Sequence, residues 1–301
     1  MPIRGVYFLA NDRMIEFAIA FLNSFRTYNP AIPLCLVPFD EETKQVQALQ
    51  GDYGFDLWQD ANALRRCDEI SLRFHPEGSG QYRKLAVWDG PYDEFLYIDC
   101  DTVVLGDVNY VFRFLDRAAF VTSVSNLPAI RKWVWKDSIY ATRTLTHDQI
   151  DFAANTGFIA STRGKLSLDR IEEKVPAATI LAPHMELLCA EQPLLNYLMV
   201  TSGQPYTSLL FQLRRSGDLE IPLEHWGGAP VGPVRDGRII APLYPRILVV
   251  HWAGEWRKLQ EGCLPNLDLW SFYRHRGVLR TPMRGSTSES VSGADDGGHG
   301  G

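Results

Sequence analysis

The 301-residue sequence predicts an α/β protein, in which helices flank a mostly parallel central sheet within a single large domain. Two observations lead to this prediction. Short apolar runs alternate with amphipathic stretches over the first 50 residues, a pattern typical of parallel strands connected by helices. Hydrophobic residues make up 46% of the chain, which is enough for a packed core and excludes an intrinsically disordered protein.

The first 50 residues show the alternation element by element. Residues 5–10 are apolar and predict a buried strand, and residues 34–39 predict a second one. Between them, apolar side chains recur on one helical face over residues 12–28, a helix for which Asp12 is the expected N-cap. The acidic residues at 40–42 predict the first turn of another helix.

Later segments continue the same pattern. Residues 81–89 and 191–199 predict helices, whereas residues 123–151 lack a clear period and predict a loop region over the site. Further apolar runs predict strands at 95–98, 119–124, 157–161 and 247–250.

The C-terminal part has a different composition. Ten of the 17 residues at 285–301 are Gly or Ser, which predicts a flexible tail. Residues 270–284 mix aromatic residues with arginines and predict a solvated helix. The alternative for this helix is transient contact with an anionic membrane surface.

Charge, cysteine content and hydropathy exclude several classes of protein. The chain has 30 basic and 36 acidic residues, and a net charge of −6 argues against a general nucleic-acid binder. Its five scattered cysteines form no CxxC pair, so we expect free thiols rather than a zinc ribbon or a disulfide scaffold. We see neither a membrane-spanning stretch nor a signal peptide, and we therefore expect a cytoplasmic protein.

The most informative segment is Asp99-Cys100-Asp101, at the end of an apolar run. In an extended chain the two carboxylates lie on one face, where they repel each other unless a divalent cation binds between them. Such a cation could bind a diphosphate and act as a Lewis acid. In the alternative interpretation, both acids only cap a turn or the next helix.

The same segment also resembles the nucleophile motif of haloacid dehalogenase-like phosphatases. In that alternative, Asp99 attacks phosphorus and Asp101 is the general acid. That family usually has the motif on its first strand and a second acidic pair late in the chain. Here the motif comes a third of the way along, and the late pair, Asp295-Asp296, lies in the Gly/Ser-rich tail.

A third candidate ligand is His251, which follows the apolar residues 247–250. Its imidazole could complete a cation site, and suits manganese better than calcium. Gly254 would allow the main chain to approach a phosphate, and Arg257 and Lys258 could pair with it. The alternative is a hydrogen-bonded histidine of the core.

With these residues in this order, the sequence over residues 3–260 resembles the retaining glycosyltransferases of family 8, which have the GT-A fold. Asp99-Cys100-Asp101 matches the family's Asp-x-Asp metal motif, and His251-x-x-Gly254 matches its closing motif. The other matching positions are Leu9, Ala10 and Asn11 in the nucleotide-holding segment, the basic residue Lys84, Asn155 in an Asn-x-Gly turn, and the pair Glu191-Gln192.

The resemblance implies a Rossmann-like domain over residues 1–280, with a nucleotide-binding half (1–105) and an acceptor and metal-closing half (106–280). It further implies a nucleoside diphosphate sugar, such as a UDP-sugar, as donor, Mn2+ or Mg2+ as cofactor, and transfer with retention. Gln192 would then lie beneath the reacting carbon, while Glu191 and Asn155 bind sugar hydroxyls. The acceptor and the oligomeric state are not indicated.

The sequence also departs from the family. Arg257 stands where the family has lysine, and Glu191 stands where aspartate is more usual. A catalytically silent nucleotide-sugar-binding module is a further alternative. Tryptophans 133, 135 and 226 are candidates for stacking on an acceptor, and the basic residues 131, 132 and 136 would favour an acidic one.

Overall fold

The computed structural model describes residues 2–240 and 246–277. We number its strands in chain order. They are β1 (Arg4–Ala10), β2 (Leu34–Pro38), β3 (Asp56–Leu57), β4 (Glu94–Asp99), β5 (Thr102–Val104), β6 (Phe120–Thr122), β7 (Phe158–Thr162), β8 (Tyr206–Ser208), β9 (Leu223–Trp226), β10 (Val234–Arg235), β11 (Arg238–Ile239) and β12 (Ile247–His251).

Seven of these strands form one sheet, in the order β3-β2-β1-β4-β7-β6-β8. The first four are parallel neighbours, β7 is antiparallel to β4 and β6, and β8 is parallel to β6. A second sheet has the order β5-β12-β9, and β10 pairs with β11. The prediction of a mostly parallel central sheet is therefore confirmed.

Helices cover both faces of the central sheet. The α-helices are α1 (Ile15–Tyr28), α2 (Lys44–Ala48), α3 (Gln50–Tyr53), α4 (Ala61–Phe74), α5 (Asn109–Phe112), α6 (Pro128–Arg131), α7 (Ile139–Thr142), α8 (His147–Phe152), α9 (Leu168–Leu181), α10 (Gln192–Val200), α11 (Leu209–Ser216), α12 (Trp256–Gln260) and α13 (Leu267–His275). Short 3-10 helices occupy Asp12–Met14, Gly80–Asp89, Ala182–His184 and Leu187–Cys189.

β1 shows why helices are needed on both faces. Val6 and Phe8 pack with Phe21 of α1 on one face, while Tyr7 and Leu9 pack into the core on the other face. A strand that is apolar on both sides must be covered on both sides, as in other parallel sheets. This explains the continuous apolar run that predicted the strand.

The two larger sheets meet where β4 ends. Leu9 of β1 pairs with Asp99 of β4. The chain then enters β5 at Thr102, and this strand leaves the central sheet to pair with β12. Ligands of open α/β sheets bind at the carboxyl ends of the strands. The carboxyl ends of β1 and β4 therefore lie beside a second sheet that can supply further side chains.

Three local predictions were wrong in detail. Asp12 does not cap α1. Its carboxylate instead accepts hydrogen bonds from the main-chain N–H groups of Gln45 (2.9 Å) and Val46 (3.1 Å) at the start of α2. The helix predicted at 81–89 is a 3-10 helix. The loop region predicted at 123–151 contains the short helices α6, α7 and α8.

Three further predictions concern the cysteines, membrane-spanning helices and the C-terminal part of the chain. All five cysteines are free, as their spacing predicts. Within the described ranges, no helix has the length and apolar character needed to cross a bilayer. The helix predicted at 270–284 is observed as α13, which ends at His275, and residues 278–284 and the predicted tail lie outside the described residues.

Candidate active site

The acidic pair lies at the junction of the two sheets, with Asp99 ending β4 and Asp101 just before β5. Cys100 between them is buried on the opposite face, in the same core cluster as Leu96 and Ile98. Burial raises the pKa of the Cys100 thiol far above its ordinary value. The alternation predicted from the sequence is therefore observed, and Cys100 can offer only its main chain to a ligand.

His251 joins the acidic pair from β12. Because β12 is antiparallel to β5, His251 pairs with Thr102, directly beside Asp101. Its Nε2 lies 3.2 Å from Asp101 Oδ1 and 3.8 Å from Asp99 Oδ2. One ligand atom from each of the three residues lies within 4.8 Å of the other two. The structure thus brings the acidic pair together with a histidine that lies 150 residues after Asp101 in the sequence.

Gly157 provides the space for this cluster. A Cβ atom at this position would lie 2.4 Å from His251 Cε1 and 2.5 Å from Asp99 Oδ2, so no side chain fits. The main-chain N–H of Gly157 donates to Asn155 Oδ1 at 2.8 Å, and its carbonyl accepts from the Asp99 N–H. The Asn-x-Gly turn therefore holds the main chain of Asp99 and leaves room for the side chains of Asp99 and His251.

Lys84 connects the acidic pair to Glu191. Its Nζ lies 3.1 Å from Asp99 Oδ1 and 2.7 Å from Glu191 Oε1, and Tyr97 donates its hydroxyl to the same Asp99 oxygen at 2.5 Å. Burial disfavours the Lys84 ammonium, but the two carboxylates outweigh it and raise its pKa. Burial also opposes ionisation of Asp99, yet Lys84 and His251 lower the pKa of that carboxyl. Asp99 is therefore held as a carboxylate.

Glu191 and Gln192 lie at the start of α10 and are held by the Asn-x-Gly turn. Thr156 donates its hydroxyl to Glu191 Oε1 (3.1 Å) and its main-chain N–H to Gln192 Oε1 (3.2 Å). Gln192 Nε2 donates to the Trp133 carbonyl at 3.0 Å. Burial raises the pKa of Glu191. The pair is thus held by Thr156, and Lys84 connects Glu191 to Asp99.

Glu224 is a buried carboxylate of the site that the sequence analysis missed. It lies on β9, its side chain is only 4% exposed, and its Oε1 is 2.8 Å from His251 Nδ1. Asn155 Nδ2 donates to the same oxygen at 2.7 Å, so both ends of the Asn155 amide are bound within the protein. In the sequence, Glu224 is one acidic residue in a four-residue strand, and no motif distinguishes it.

The predicted nucleotide-holding segment ends next to Asp99. Leu9 and Ala10 are buried with their side chains in the core, so they can offer only main-chain groups. Asn11 follows β1, is also buried, and donates its amide to Asp40 Oδ2 at 2.8 Å. The segment therefore ends beside the acidic pair, and Asp40 is an additional polar group there.

The residues after His251 form a turn and then α12. Gly254 has φ +76°, a left-handed conformation that favours glycine, and open space surrounds the position of a Cβ atom. Lys258 Nζ pairs with the Glu255 carboxylate at 2.5 Å, whereas the Arg257 guanidinium stacks on the Trp256 ring at 5.1 Å. The two predicted phosphate-binding cations thus have different surroundings.

The predicted stacking tryptophans differ in exposure. Trp133 and Trp226 are 47% and 51% exposed. Trp135 is only 3% exposed, packs in the core, and cannot stack on an acceptor, so that prediction was wrong.

The charges of the site favour a divalent cation. Four carboxylates, from Asp99, Asp101, Glu191 and Glu224, face the cations of Lys84 and His251. Burial disfavours the imidazolium, but Asp101 and Glu224 raise the pKa of His251 well above its ordinary value. Without a metal, a proton therefore balances part of the charge. The two aspartates and the imidazole form a donor set that fits Mn2+ or Mg2+.

No protein-family model matches this sequence, and no curated protein matches it. Several solved structures match its fold. The galactosyltransferase LgtC, in complex with donor and acceptor sugar analogues, matches with a TM-score of 0.59 and 11% identity over 90% of this chain and 95% of that chain. The chain has the GT-A fold.

Two further structures show the same fold. The bifunctional glycosyltransferase WbbM has a TM-score of 0.52 and 13% identity, and the glycosyltransferase GlyE of Streptococcus pneumoniae TIGR4 has a TM-score of 0.50 and 15% identity. Each match covers 91% of this chain, but only 52% of WbbM and 61% of GlyE. The resemblance found from the sequence motifs is therefore confirmed at the level of the fold.

Proposed function

We propose that this protein is a metal-dependent glycosyltransferase that moves a hexose-type sugar from a UDP-sugar to a hydroxyl acceptor, with retention at the anomeric carbon. The observation that carries the proposal is the convergence of Asp99, Asp101 and His251 at the carboxyl edge of a GT-A sheet. The catalytic domain of this proposal spans residues 1–280, and its acceptor is not specified.

In this proposal, Asp99, Asp101 and His251 hold Mn2+ or Mg2+. The cation, when bound, supplies Lewis-acid stabilisation of the negative charge that develops on the leaving diphosphate. Lys84 keeps Asp99 ionised and in position through the 3.1 Å contact. A carboxylate that is already ionised and fixed loses little entropy when it binds a metal.

The diphosphate lies next to the turn at Gly254 in this proposal. Arg257 and Lys258 follow this turn and add positive charge to the leaving group. The main chain of Leu9 and Ala10, together with Asn11, would hold the base and ribose on the other side of Asp99.

Gln192 is assigned to the face of the sugar opposite the leaving group. Its amide is held at both ends, by the Thr156 N–H and the Trp133 carbonyl. A neutral amide is a poor nucleophile, and it can stabilise the positive charge of an oxocarbenium-like sugar through its oxygen. Glu191, whose Oε1 lies 2.7 Å from Lys84 Nζ, would orient sugar hydroxyls.

The proposal is tested by incubating the purified protein with a panel of UDP-sugars and measuring released UDP, with Mn2+ or with EDTA. We expect slow hydrolysis of one donor, its loss in EDTA, and a loss of at least 100-fold in Asp101→Asn. The exposed residue Asp52 offers the matched control Asp52→Asn, which should hydrolyse the donor at the wild-type rate.

The same assay separates the alternatives. A catalytically silent binding module would bind a UDP-sugar without releasing UDP. A haloacid dehalogenase-like phosphatase would release inorganic phosphate from p-nitrophenyl phosphate and no UDP. Against the phosphatase, Asp99 ends the fourth strand rather than the first.

A further inference from the structure

Glu224 is the one carboxylate of the site with no role in the proposed reaction. It is almost fully buried, yet it forms no pair with Lys84 or the acidic pair. Its contacts are His251 Nδ1 at 2.8 Å, Asn155 Nδ2 at 2.7 Å and the Ser123 hydroxyl, which donates to its other oxygen. Removing a carboxylate from water costs free energy unless its hydrogen bonds and ion pairs offset the lost hydration. The buried position of Glu224 therefore needs an explanation.

We infer that Glu224 is a positioning residue, which orients His251 so that its Nε2 faces the cation site. This inference rests on the proposed function. Glu224 lies on β9 beside Val249 of β12, and His251 follows two residues later on the same strand face. The parallel pairing of the two strands therefore places this carboxylate alongside the imidazole.

The hydrogen bond determines which ring nitrogen carries the proton. A carboxylate can only accept, so Nδ1 of His251 is the donor, and when the ring loses its second proton to bind a metal, Nε2 is the nitrogen that has the free lone pair. Nε2 is the atom that faces Asp101 and Asp99. The contact thus selects the tautomer that can bind a cation at the acidic pair.

The carboxylate is itself fixed on three sides. Asn155 belongs to the turn that contains Gly157, and Ser123 follows β6, so Glu224 is held by two elements outside its own sheet. Fixed in this way, it can hold the ring plane of His251 as well as its tautomer. Glu224 is not itself a ligand in this inference, because its contact to His251 is at the nitrogen remote from the acidic pair.

The test is the affinity of the full-length protein for Mn2+ alone, measured from the EPR signal of free Mn2+. We expect Glu224→Ala to raise the Kd for Mn2+ by about 10- to 100-fold, the range found for residues that orient metal ligands. Glu224→Gln keeps an oxygen that accepts from Nδ1 but loses the negative charge, and should raise the Kd by about two- to fivefold. Glu220 is an exposed glutamate paired with Arg246, and Glu220→Ala is the control with wild-type affinity.

The outcomes are distinguishable. Folded Glu224→Ala and Glu224→Gln variants that both bind Mn2+ with wild-type affinity would overturn the inference. Equal losses of affinity in the two variants, in proportion to equal losses of thermal stability, would also overturn it, since that result indicates a purely structural role. If Glu224→Ala does not fold, an unchanged Kd in Glu224→Gln decides against the inference. Failure of the wild-type protein to bind Mn2+ contradicts the proposed function instead.

Discussion

The Lys84 ammonium lies 2.7 Å from the Glu191 carboxylate, and the two side chains are only 3% and 5% exposed. Because Lys84 also contacts Asp99, one buried cation joins the predicted metal motif to the predicted sugar-binding pair. Asp99 and Glu191 are therefore electrostatically coupled through Lys84, and removal of the Lys84 charge should affect both carboxylates.

This connection predicts a large effect of Lys84→Met. The substitution leaves Asp99 and Glu191 buried without their cation, which should lower the free energy of unfolding by about 3–5 kcal/mol. Donor hydrolysis should be lost as well. Urea denaturation measures the first effect, and UDP release measures the second.

A second variant tests the reason for that effect. Glu191→Gln in the Lys84→Met background removes one of the two unpaired charges and should recover part of the lost stability. A Lys84→Met protein as stable as the wild type would contradict this account, as would a double variant less stable than Lys84→Met.

The close packing around Gly157 predicts that Gly157→Ala disrupts the metal site while the protein still folds. In Gly157→Ala the added Cβ displaces His251 or Asp99, since it would lie 2.4–2.5 Å from their atoms. We expect at least a 100-fold weaker affinity for Mn2+, measured by calorimetry. The matched control is Gly51→Ala on α3, where nothing lies within 4 Å of the new Cβ. Wild-type affinity in Gly157→Ala would show that the cation binds elsewhere.

Arg257 and Lys258 are predicted to contribute unequally to diphosphate binding. Lys258 is already paired with Glu255, which raises the pKa of its ammonium, whereas Arg257 stacks on Trp256. A guanidinium can also bind a diphosphate through two parallel hydrogen bonds. We therefore expect Arg257→Ala to weaken UDP binding in the presence of Mn2+ by about tenfold and Lys258→Ala by less than threefold. Calorimetry in which the two effects are equal or reversed would contradict this assignment.

Arg26 is predicted to hold together the part of the sheet that carries the nucleotide-holding segment. Its buried guanidinium donates to the carbonyls of Tyr53, Ile32 and Gly54 at 2.7 Å and to that of Asn29 at 3.3 Å. Arg26→Met leaves these carbonyls without a donor and should lower the free energy of unfolding by about 3 kcal/mol or more. Urea denaturation should show this loss, and a change below 1 kcal/mol would disprove the assignment.

Local patterns predicted the fold well where burial alone determines which residues of an element are apolar. The apolar run of β1 and the amphipathic face of α1 follow directly from burial, because the strand is covered on two faces and the helix on one. Asp12 was assigned to the wrong helix because the N–H groups of Gln45 and Val46, which it accepts, come from α2, more than 30 residues away. No local pattern contains that contact.

The candidate site was predictable to the same extent. Asp99 and Asp101 are visible because alternation acts over two residues, and His251 because it ends an apolar strand. Glu224 was missed because its importance depends on the parallel pairing of β9 with β12, and Gly157 seemed only a turn residue. Both roles arise from packing between segments distant in sequence.

The most direct test of the proposed metal site is anomalous scattering from crystals grown with Mn2+ and UDP. We predict one manganese peak within about 2.5 Å of an oxygen of Asp99, an oxygen of Asp101 and Nε2 of His251, with the diphosphate bound to the same ion. A manganese peak remote from these three side chains, or UDP bound in this cleft with no metal beside it, would contradict the account.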